Sequence, residues 1–257
     1  MGAPPPGAES RVLDRADTAA LGAALSAFRC EAVVDQVAYT AEDAASLHAV
    51  LPPSVTRWIL VSSAVVYGPG DGLSEADLPH PDSAFATAKL DAERAALAHA
   101  GARVLRLGYL YGPGHAPLTP SGRIADLAER LRRGVPVALP CEIDDTPRLQ
   151  PLFAEDFAAV VLATLEHPAP PTVLNVTGPE TLSWAEALTA WAQAAGAPPP
   201  HFERLSFAEL QGRAPEAHRP FLGALLRPPT LSRACLVETF PTLPFTRFVD
   251  GARAVLR

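Results

Sequence analysis

Lysine is almost missing from this sequence. Of the 21 lysine and arginine residues in the 257-residue chain, only Lys89 is a lysine, and arginine carries the rest of the positive charge. A lysine retained in such a chain indicates a position that requires an ammonium group, although a solvated residue on a helix surface would also account for it. Lys89 is therefore a candidate functional residue.

Cysteine and long apolar runs are also scarce, which argues against several classes of protein. The three cysteines, Cys30, Cys141 and Cys235, are far apart and form no Cys-x-x-Cys pair, so neither a disulfide framework nor a structural zinc site is expected. The histidines form no His-x-x-x-His pair, and no metal site is predicted. Because no apolar run of about 18 residues and no signal-peptide pattern occurs, we expect a cytoplasmic protein that does not enter a membrane.

The charge balance bears on the choice of partner. The net charge is −7, with 48% hydrophobic and 19% charged residues. Such a composition predicts a folded chain with a substantial core. Nucleic acids attract basic surfaces, so the acidic balance argues against a nucleic-acid partner.

Short β-branched runs alternate with amphipathic runs over most of the chain. This pattern predicts a parallel sheet that helices cover on both faces. The predicted strands are 11–13, 31–35, 57–63, 103–107 and 172–176. The predicted helices are 17–29, 40–51, 83–100, 124–133, 156–166 and 183–195. Capping boxes are predicted at Thr40 with Asp43 and at Ser183 with Glu186.

The chain is predicted to divide near residue 177. Residues 11–177 form the α/β core, and 178–257 form a small, mostly helical cap, with contributions from about 115–150. Open parallel sheets bind ligands at the carboxyl ends of their strands. The loops after Asp35, Ser63 and Leu107 are therefore the places where chemistry is expected.

Three segments lie in order at those strand ends: 61–68 (VSSAVVYG), 85–93 (FATAKLDAE) and 105–114 (LRLGYLYGPG). Together they resemble the extended short-chain dehydrogenase/reductase family, in its NAD-dependent epimerase/dehydratase branch. That family has a strand ending in Ser-Ser or Ser-Thr before Val-Tyr-Gly, a helix with Tyr-x-x-x-Lys, and a strand ending in Arg-Pro-x-x-x-x-Gly-Pro-Gly. The resemblance covers roughly residues 11–200 and implies a Rossmann-like, doubly wound sheet.

The resemblance also implies roles for particular residues. Ser63 matches the hydroxyl that bonds the substrate oxygen, and Lys89 matches the lysine that binds the nicotinamide ribose of NAD or NADP. Asp14 matches an aspartate that contacts the adenine. Arg148 lies about one residue out of register with a substrate-binding position, where it would meet a substrate diphosphate. The implied substrate is a sugar nucleotide or a similar carbonyl or hydroxyl compound.

Phe85 occupies the position of the catalytic tyrosine and has no hydroxyl. The preferred interpretation is that Phe85 packs in the core and that catalysis is impaired. Tyr67, the nearest phenol, is predicted to pack, with replacement of the missing tyrosine as the alternative. Ser63 could likewise only end its strand, and Asp14 could only form a turn.

The family's opening Gly-x-x-Gly-x-x-Gly loop is not found in this sequence. The resemblance therefore implies a sheet incomplete at the N-terminal side, with the 31–35 strand left as an edge and with weak or no NAD binding. Either the gene start lies upstream, or the protein has become a non-catalytic binding or scaffold protein. RNA binding is a third class, which the acidic charge disfavours. A homodimer through 40–51 and 83–100 is possible.

Overall fold

The computed structural model describes residues 7–142, 146, 148–214, 216 and 227–256. Its strands are β1 Ala32–Asp35, β2 Arg57–Ser63, β3 Ala102–Leu107, β4 Tyr109–Tyr111, β5 Leu118–Thr119, β6 Gly122–Arg123, β7 Val137–Pro140, β8 Pro151–Phe153, β9 Val173–Val176 and β10 Phe202–Leu205. Its helices are α1 Thr18–Ala27, α2 Ala41–Val50, α3 Ala84–Ala96, α4 Leu127–Arg132, α5 Ala154–Glu166, α6 Trp184–Ala194, α7 Phe207–Arg213, α8 Ala234–Thr239 and α9 Phe248–Val255.

The centre of the fold is a four-stranded parallel sheet in the order β1-β2-β3-β9. Side chains of α2 and α3 pack on one face, around the fully buried Trp58 and Leu60. Side chains of α5 and α8 pack on the other face, around Ile59, Leu105 and Leu174. Burial on both faces is why β2 is apolar along most of its length, and it confirms the doubly wound α/β architecture.

A second core lies beside the sheet. It joins Tyr111, Leu139, Phe153, Trp191 and Phe248, which come from β4, β7, β8, α6 and α9. In this region β10 pairs with β7, and β4 pairs with β8. Parts of the chain before residue 177 thus share a core with parts after it, while α8 packs on the sheet. The division of the chain near residue 177 stays a prediction.

Local sequence signals fix two of the helix starts. At α2 the Thr40 hydroxyl accepts from the Asp43 N–H at 3.2 Å, and an Asp43 carboxylate oxygen accepts from the Thr40 N–H at 2.9 Å. Ser183 and Glu186 make the same reciprocal pair at α6. Both predicted capping boxes are confirmed, because each satisfies backbone donors that the first helical turn leaves free.

Several predicted boundaries are wrong. The 11–13 strand does not form; Val12 is 83% exposed there, with no neighbouring strand to take its backbone hydrogen bonds. β4 and β5 were not predicted, because such short strands have no alternating pattern. The helix predicted over 83–100 ends at Ala96. The mostly helical C-terminal part also contributes β10, a strand that the sequence pattern did not predict.

Among the described strands β1 pairs only with β2, so it lies at the edge of the sheet. This agrees with the prediction that the 31–35 strand is an edge strand. Within the described ranges, no helix is long and apolar enough to cross a membrane. The same residues contain no group of three or more histidine, cysteine or acidic side chains that could hold a metal ion. The predicted homodimer through α2 and α3 stays a prediction.

Candidate active site

A cavity of about 290 Å³ opens at the carboxyl ends of β2 and β3. Its lining includes Ser63, Gly108, Tyr109, Arg123, Arg148 and Gln150. The structure therefore brings together two of the predicted site residues, Ser63 and Arg148. It adds Arg123, which follows Gly122 on β6 and carries no motif that would have marked it in the sequence.

Ser63 is the last residue of β2 and is only partly buried. Its hydroxyl oxygen accepts a long hydrogen bond of 3.4 Å from the Val65 N–H, at the start of the short 3₁₀ helix Ala64–Tyr67. A serine hydroxyl has one donor hydrogen and further acceptor capacity. Ser63 therefore ends its strand, as the plainer interpretation predicts, and also presents a hydroxyl to the cavity.

Arg148 pairs with the carboxylate of Asp71 through both terminal nitrogens. Asp71 is 66% exposed in its side chain, whereas Arg148 is 24% exposed. An exposed ion pair is held weakly, because water screens both charges. The Arg148 guanidinium can thus exchange Asp71 for another anion at small cost.

Lys89 is buried, which rules out the solvated-surface interpretation. Its ammonium donates to the backbone carbonyls of Ala38 and Val61, both at 2.8 Å. It thereby connects the loop after β1 to β2. Burial lowers the pKa of Lys89 from its usual 10.5, and the nearby carboxylates of Asp35 and Glu93 oppose that shift. An ammonium has three donor hydrogens, and these two carbonyls account for two of them.

The prediction that Phe85 packs in the core is wrong. Phe85 is 39% exposed, because it lies in the first turn of α3 and is not on the face that buries Ala86 and Lys89. Its ring lies 6.4 Å, centroid to centroid, from the ring of Tyr39, in the loop between β1 and α2. Position 85 therefore lies at the surface, beside the loop that follows β1.

Tyr67 is 2% exposed and donates its phenolic hydrogen to Asn175 Oδ1 at 3.0 Å. Burial raises its pKa, against the effect of the neighbouring Arg106. A phenol held in this way does not reach the cavity as a proton donor. The structure supports the packing interpretation of Tyr67 and disfavours it as the replacement for the missing tyrosine.

A buried polar network underlies this edge of the sheet. The Arg106 guanidinium donates to both carboxylate oxygens of Glu93, at distances down to 2.7 Å, and the Ser62 hydroxyl donates to Glu93 at 2.5 Å. Arg106 also lies 4.6 Å from the ring centroid of Tyr67. Glu93 lies in the 85–93 segment and Arg106 in the 105–114 segment of the sequence, but only the fold shows that the two side chains pair.

Within the part of the chain that the structure describes, no hydrogen bond or ion pair joins Asp14 to a residue that lines the cavity. It is exposed, and its carboxylate accepts from the Ala16 N–H at 2.9 Å, which makes a local turn. The neighbouring Arg15 instead pairs with Asp35 through two hydrogen bonds, of 2.8 and 2.7 Å. The sequence marked the loop after Asp35 as a place for chemistry, but it did not identify Arg15 as the partner that neutralises this carboxylate.

The profile of the NAD dependent epimerase/dehydratase family matches residues 46–177, slightly more than half of the chain. The chain belongs to this family. The match includes β2, α3 and β3, and therefore Ser63, Lys89 and the substituted position 85. A search of curated proteins gave no match.

Solved structures support the fold of an epimerase/dehydratase. A putative epimerase from Burkholderia cenocepacia J2315 superposes with a TM-score of 0.73 at 22% identity, covering 98% of this chain and 86% of the other. The Bordetella bronchiseptica enzyme WbmG, in complex with NAD and UDP, gives 0.75 at 20% identity, with 98% and 79% covered. The dTDP-glucose 4,6-dehydratase of Bacillus anthracis, in complex with NAD, gives 0.73 at 16%, with 95% and 76% covered. At these identities the likeness establishes the fold.

The dinucleotide that this family's name implies fits the described residues only in part. The Lys89 ammonium and the Ser63 hydroxyl are the groups that would hold its ribose and nicotinamide end. A pyrophosphate needs free N–H groups at a helix N-terminus. Here Glu42 and Asp43 occupy the first turn of α2, and Asp17 caps α1. These carboxylates repel phosphate, and the chain has no Gly-x-x-Gly-x-x-Gly turn.

Proposed function

We propose that this epimerase/dehydratase-family chain binds a nucleotide sugar in the cavity at the carboxyl ends of β2 and β3. The carrying observation is the composition of that cavity. A serine hydroxyl, Ser63, and two guanidinium groups, Arg123 and Arg148, line the same space. Arginine forks match the geometry of phosphate oxygens, and a serine hydroxyl suits a sugar oxygen. Together they match the two halves of a nucleotide sugar.

The proposed reaction is oxidation and reduction at a hydroxyl-bearing carbon of the sugar. Ser63 would donate a hydrogen bond to the reacting oxygen and polarise it. Arg123 and Arg148 would hold the diphosphate and so fix the distance of the sugar from β2. Lys89 would hold a ribose hydroxyl through its third hydrogen. A nicotinamide cofactor, NAD or NADP, would supply the hydride acceptor when bound.

The weak point of the proposed enzyme is the pyrophosphate site. Because the described helix N-termini near β1 carry carboxylates, we expect the chain to bind NAD weakly by itself. The second candidate function is therefore a binding protein that keeps the nucleotide-sugar cavity and performs no turnover. Phe85 favours this second candidate, since position 85 supplies no proton donor.

Calorimetry and product analysis test the proposal on the full chain. UDP-glucose, UDP-glucuronic acid and dTDP-glucose are each titrated alone and with excess NAD, and the mixtures are then analysed for new sugars by NMR. We expect saturable binding of at least one nucleotide sugar, and Arg148→Ala to weaken that binding about tenfold. Arg94→Ala, an exposed arginine on α3, is the matched control and leaves binding unchanged.

The possible outcomes separate the two functions. A new sugar product with NAD supports the enzyme, whereas binding without a product supports the binding protein. Absence of binding by all three nucleotide sugars would contradict the proposed substrate class. A stoichiometric NAD site of micromolar affinity would contradict the expected weakness of the pyrophosphate site and leave the substrate class standing.

A further inference from the structure

A second cavity, of about 330 Å³, opens at the amino ends of β2 and β3, and two arginines, Arg57 and Arg103, line it. We infer that this cavity is a binding site for a small organic phosphate. The inference goes beyond the proposed function and does not rest on it, because this cavity shares no lining residue with the cavity that contains Ser63.

The two cavities lie at opposite ends of the same strands. Arg57 is the first residue of β2, and Ser63 is the last. A parallel strand rises about 3.3 Å per residue, so the six steps from Arg57 to Ser63 span about 20 Å. A ligand bound beside Arg57 is therefore separate from a nucleotide sugar bound beside Ser63, and the two can be tested independently.

Arg57 and Arg103 lie on the same face of the sheet. Residues two positions apart on a strand share a face, so Arg57 is on the face of Ile59. Arg103 is directly opposite Ile59 in the register of β2 and β3. Ile59 packs in the core that α5 covers, and Leu165, near the end of α5, also lines the cavity. The two arginines therefore extend from neighbouring strands toward the space beside the end of α5.

Backbone carbonyls hold these guanidinium groups without neutralising them. Arg57 donates to the carbonyl of His167 at 3.3 Å, and Arg103 donates to the carbonyl of Pro170 at 3.1 Å. Among the residues that the structure describes, neither arginine forms an ion pair with a carboxylate. Two positive charges beside one cavity repel each other. An anion bound between them relieves that repulsion.

The walls of the cavity indicate which kind of anion fits. Guanidinium groups match the oxygens of phosphate, and a phosphate dianion balances two of them. Apolar side chains form much of the remaining lining: Ile59, Leu165, Pro168 and Pro170. Small-molecule sites commonly combine apolar walls with a few polar groups. A phosphate monoester with a small apolar body therefore fits this cavity better than inorganic phosphate, which would leave the apolar walls uncovered.

Calorimetry with phenyl phosphate at constant ionic strength is the first test, on the full chain carrying Arg148→Ala. That substitution removes an arginine of the candidate active site that would compete for the anion. We expect saturable binding, tighter than that of inorganic phosphate. Adding Arg57→Gln should weaken the binding about tenfold, since hydrogen bonds to charged groups are strong.

Arg132→Gln, in the same background, is the matched control. Arg132 also donates to a backbone carbonyl, that of Ala195 at 2.9 Å, but it does not line the cavity. We expect this variant to bind phenyl phosphate as the background chain does. Equal binding by the Arg57→Gln and Arg132→Gln chains would overturn the inference, and so would the absence of saturable binding in the background chain.

Chemical labelling of the wild-type chain gives a readout that does not depend on how a variant folds. Phenylglyoxal modifies arginine side chains, and mass spectrometry of the peptides locates the modified residues. Phenyl phosphate at ten times its Kd should slow modification of Arg57 and Arg103 about tenfold by mass action. Modification of Arg94, an exposed arginine on α3, should continue at its original rate. Protection that falls on Arg148 and leaves Arg57 and Arg103 reactive would place the anion in the other cavity and overturn the inference.

The outcomes also keep this inference apart from the proposed function. Nucleotide-sugar binding that Arg148→Ala weakens and Arg57→Gln leaves unchanged supports two separate sites. If no nucleotide sugar binds but phenyl phosphate protects Arg57 and Arg103, the proposed function fails and this inference stands. If nucleotide sugars bind but phenyl phosphate protects neither arginine, the inference fails and the proposed function stands.

Discussion

Two tyrosines at the same edge of the sheet each have a cation close to the ring. The two pairs differ in how deeply they are buried and in the partners of each group. Arg106 lies 4.6 Å from the Tyr67 ring centroid, and Lys89 lies 5.3 Å from that of Tyr39. In the first pair the guanidinium is matched by Glu93, and the phenol is bonded to Asn175. In the second pair the ammonium donates hydrogen bonds to two backbone carbonyls, and the tyrosine side chain is exposed.

The difference shows what burial does to the same pair of groups. A charge that is fully paired in the interior stabilises one arrangement and is not free to act on a ligand. A charge that is buried beside neutral carbonyls keeps an electric field that a neighbouring exposed group can use. We therefore assign a structural role to the Arg106–Tyr67 pair and expect Tyr39 to contribute less to stability than Tyr67.

The largest expected effect is on the structural pair. Glu93→Gln removes the charge that balances Arg106, whose side chain is 6% exposed. Loss of one partner from a buried ion pair costs about 3–5 kcal/mol, so we expect the free energy of unfolding to fall by about 3 kcal/mol. Urea unfolding followed by circular dichroism measures the change.

Asp91→Asn is the matched control for that variant. It makes the same acid-to-amide change on the same helix, in the exposed i,i+3 pair with Arg94, where the two side chains are 45% and 70% exposed. We expect a change below about 1 kcal/mol. Equal effects for Glu93→Gln and Asp91→Asn would contradict the structural assignment of the buried pair.

The strands of the sheet were easier to predict from the sequence than the ion pair between α3 and β3. β2 was predicted over the residues that it occupies, 57–63, because a continuous apolar run between turn signals is characteristic of a central parallel strand. The capping boxes were predicted because their signals lie within four residues of one another. Glu93 and Arg106 lie on α3 and β3, and only the packing of helix on sheet brings their side chains together.

Removal of Lys89 is expected to have the next largest effect. Lys89→Met keeps a long side chain but leaves the carbonyls of Ala38 and Val61 without their donor. Unmet buried carbonyls cost about 1–3 kcal/mol each, and loss of the buried charge offsets part of that cost. We expect a destabilisation of about 2 kcal/mol in urea unfolding.

Two further observations check this interpretation of Lys89. Amide hydrogen exchange in the loop after Asp35 should accelerate in Lys89→Met, because the bond to Ala38 anchors that loop. Exchange in α5, on the opposite face of the sheet, serves as the internal control and should scale only with global stability. Unchanged stability and unchanged loop exchange would mean that the ammonium does not hold the loop to β2.

Only some residues of the candidate site could be predicted from the sequence. Ser63 and Lys89 were found from motif and composition; Ser63 lies at the end of β2 as expected, and Lys89 lies on α3 with its ammonium bonded to the β2 backbone at Val61. Phe85 was expected in the core because a phenylalanine is usually buried, yet it is 39% exposed. The contacts of Tyr39 with Lys89 and of Arg15 with Asp35 were missed because each joins residues 20 or more positions apart. Such pairings depend on how the loop after β1 folds over the sheet.

A smaller effect is expected when pH is varied. Burial lowers the pKa of Lys89 below its usual 10.5 in the folded chain. Between the folded pKa and 10.5 the unfolded state binds the proton more tightly, so stability rises with pH across that interval. The difference in unfolding free energy between wild type and Lys89→Met should therefore grow from pH 7 toward pH 10.5. A difference that stays constant over this range would show that Lys89 has the same pKa in both states.

The smallest expected effects separate the two phenols themselves. Tyr67→Phe removes a buried hydroxyl and leaves Asn175 Oδ1 without its donor, so we expect a loss of about 1–2 kcal/mol. Tyr39→Phe removes a hydroxyl from a half-exposed ring that keeps its contacts with Lys89 and Phe85, so stability should change by less than about 0.5 kcal/mol. Urea unfolding of both variants, measured side by side, gives this order. If Tyr39→Phe proves the more destabilising of the two, its hydroxyl has a structural partner. The contrast between a buried structural tyrosine and an exposed tyrosine without a structural role would then be wrong. If the predicted order holds, the Tyr67 hydroxyl contributes to stability and the Tyr39 hydroxyl does not, because only the first has a buried partner.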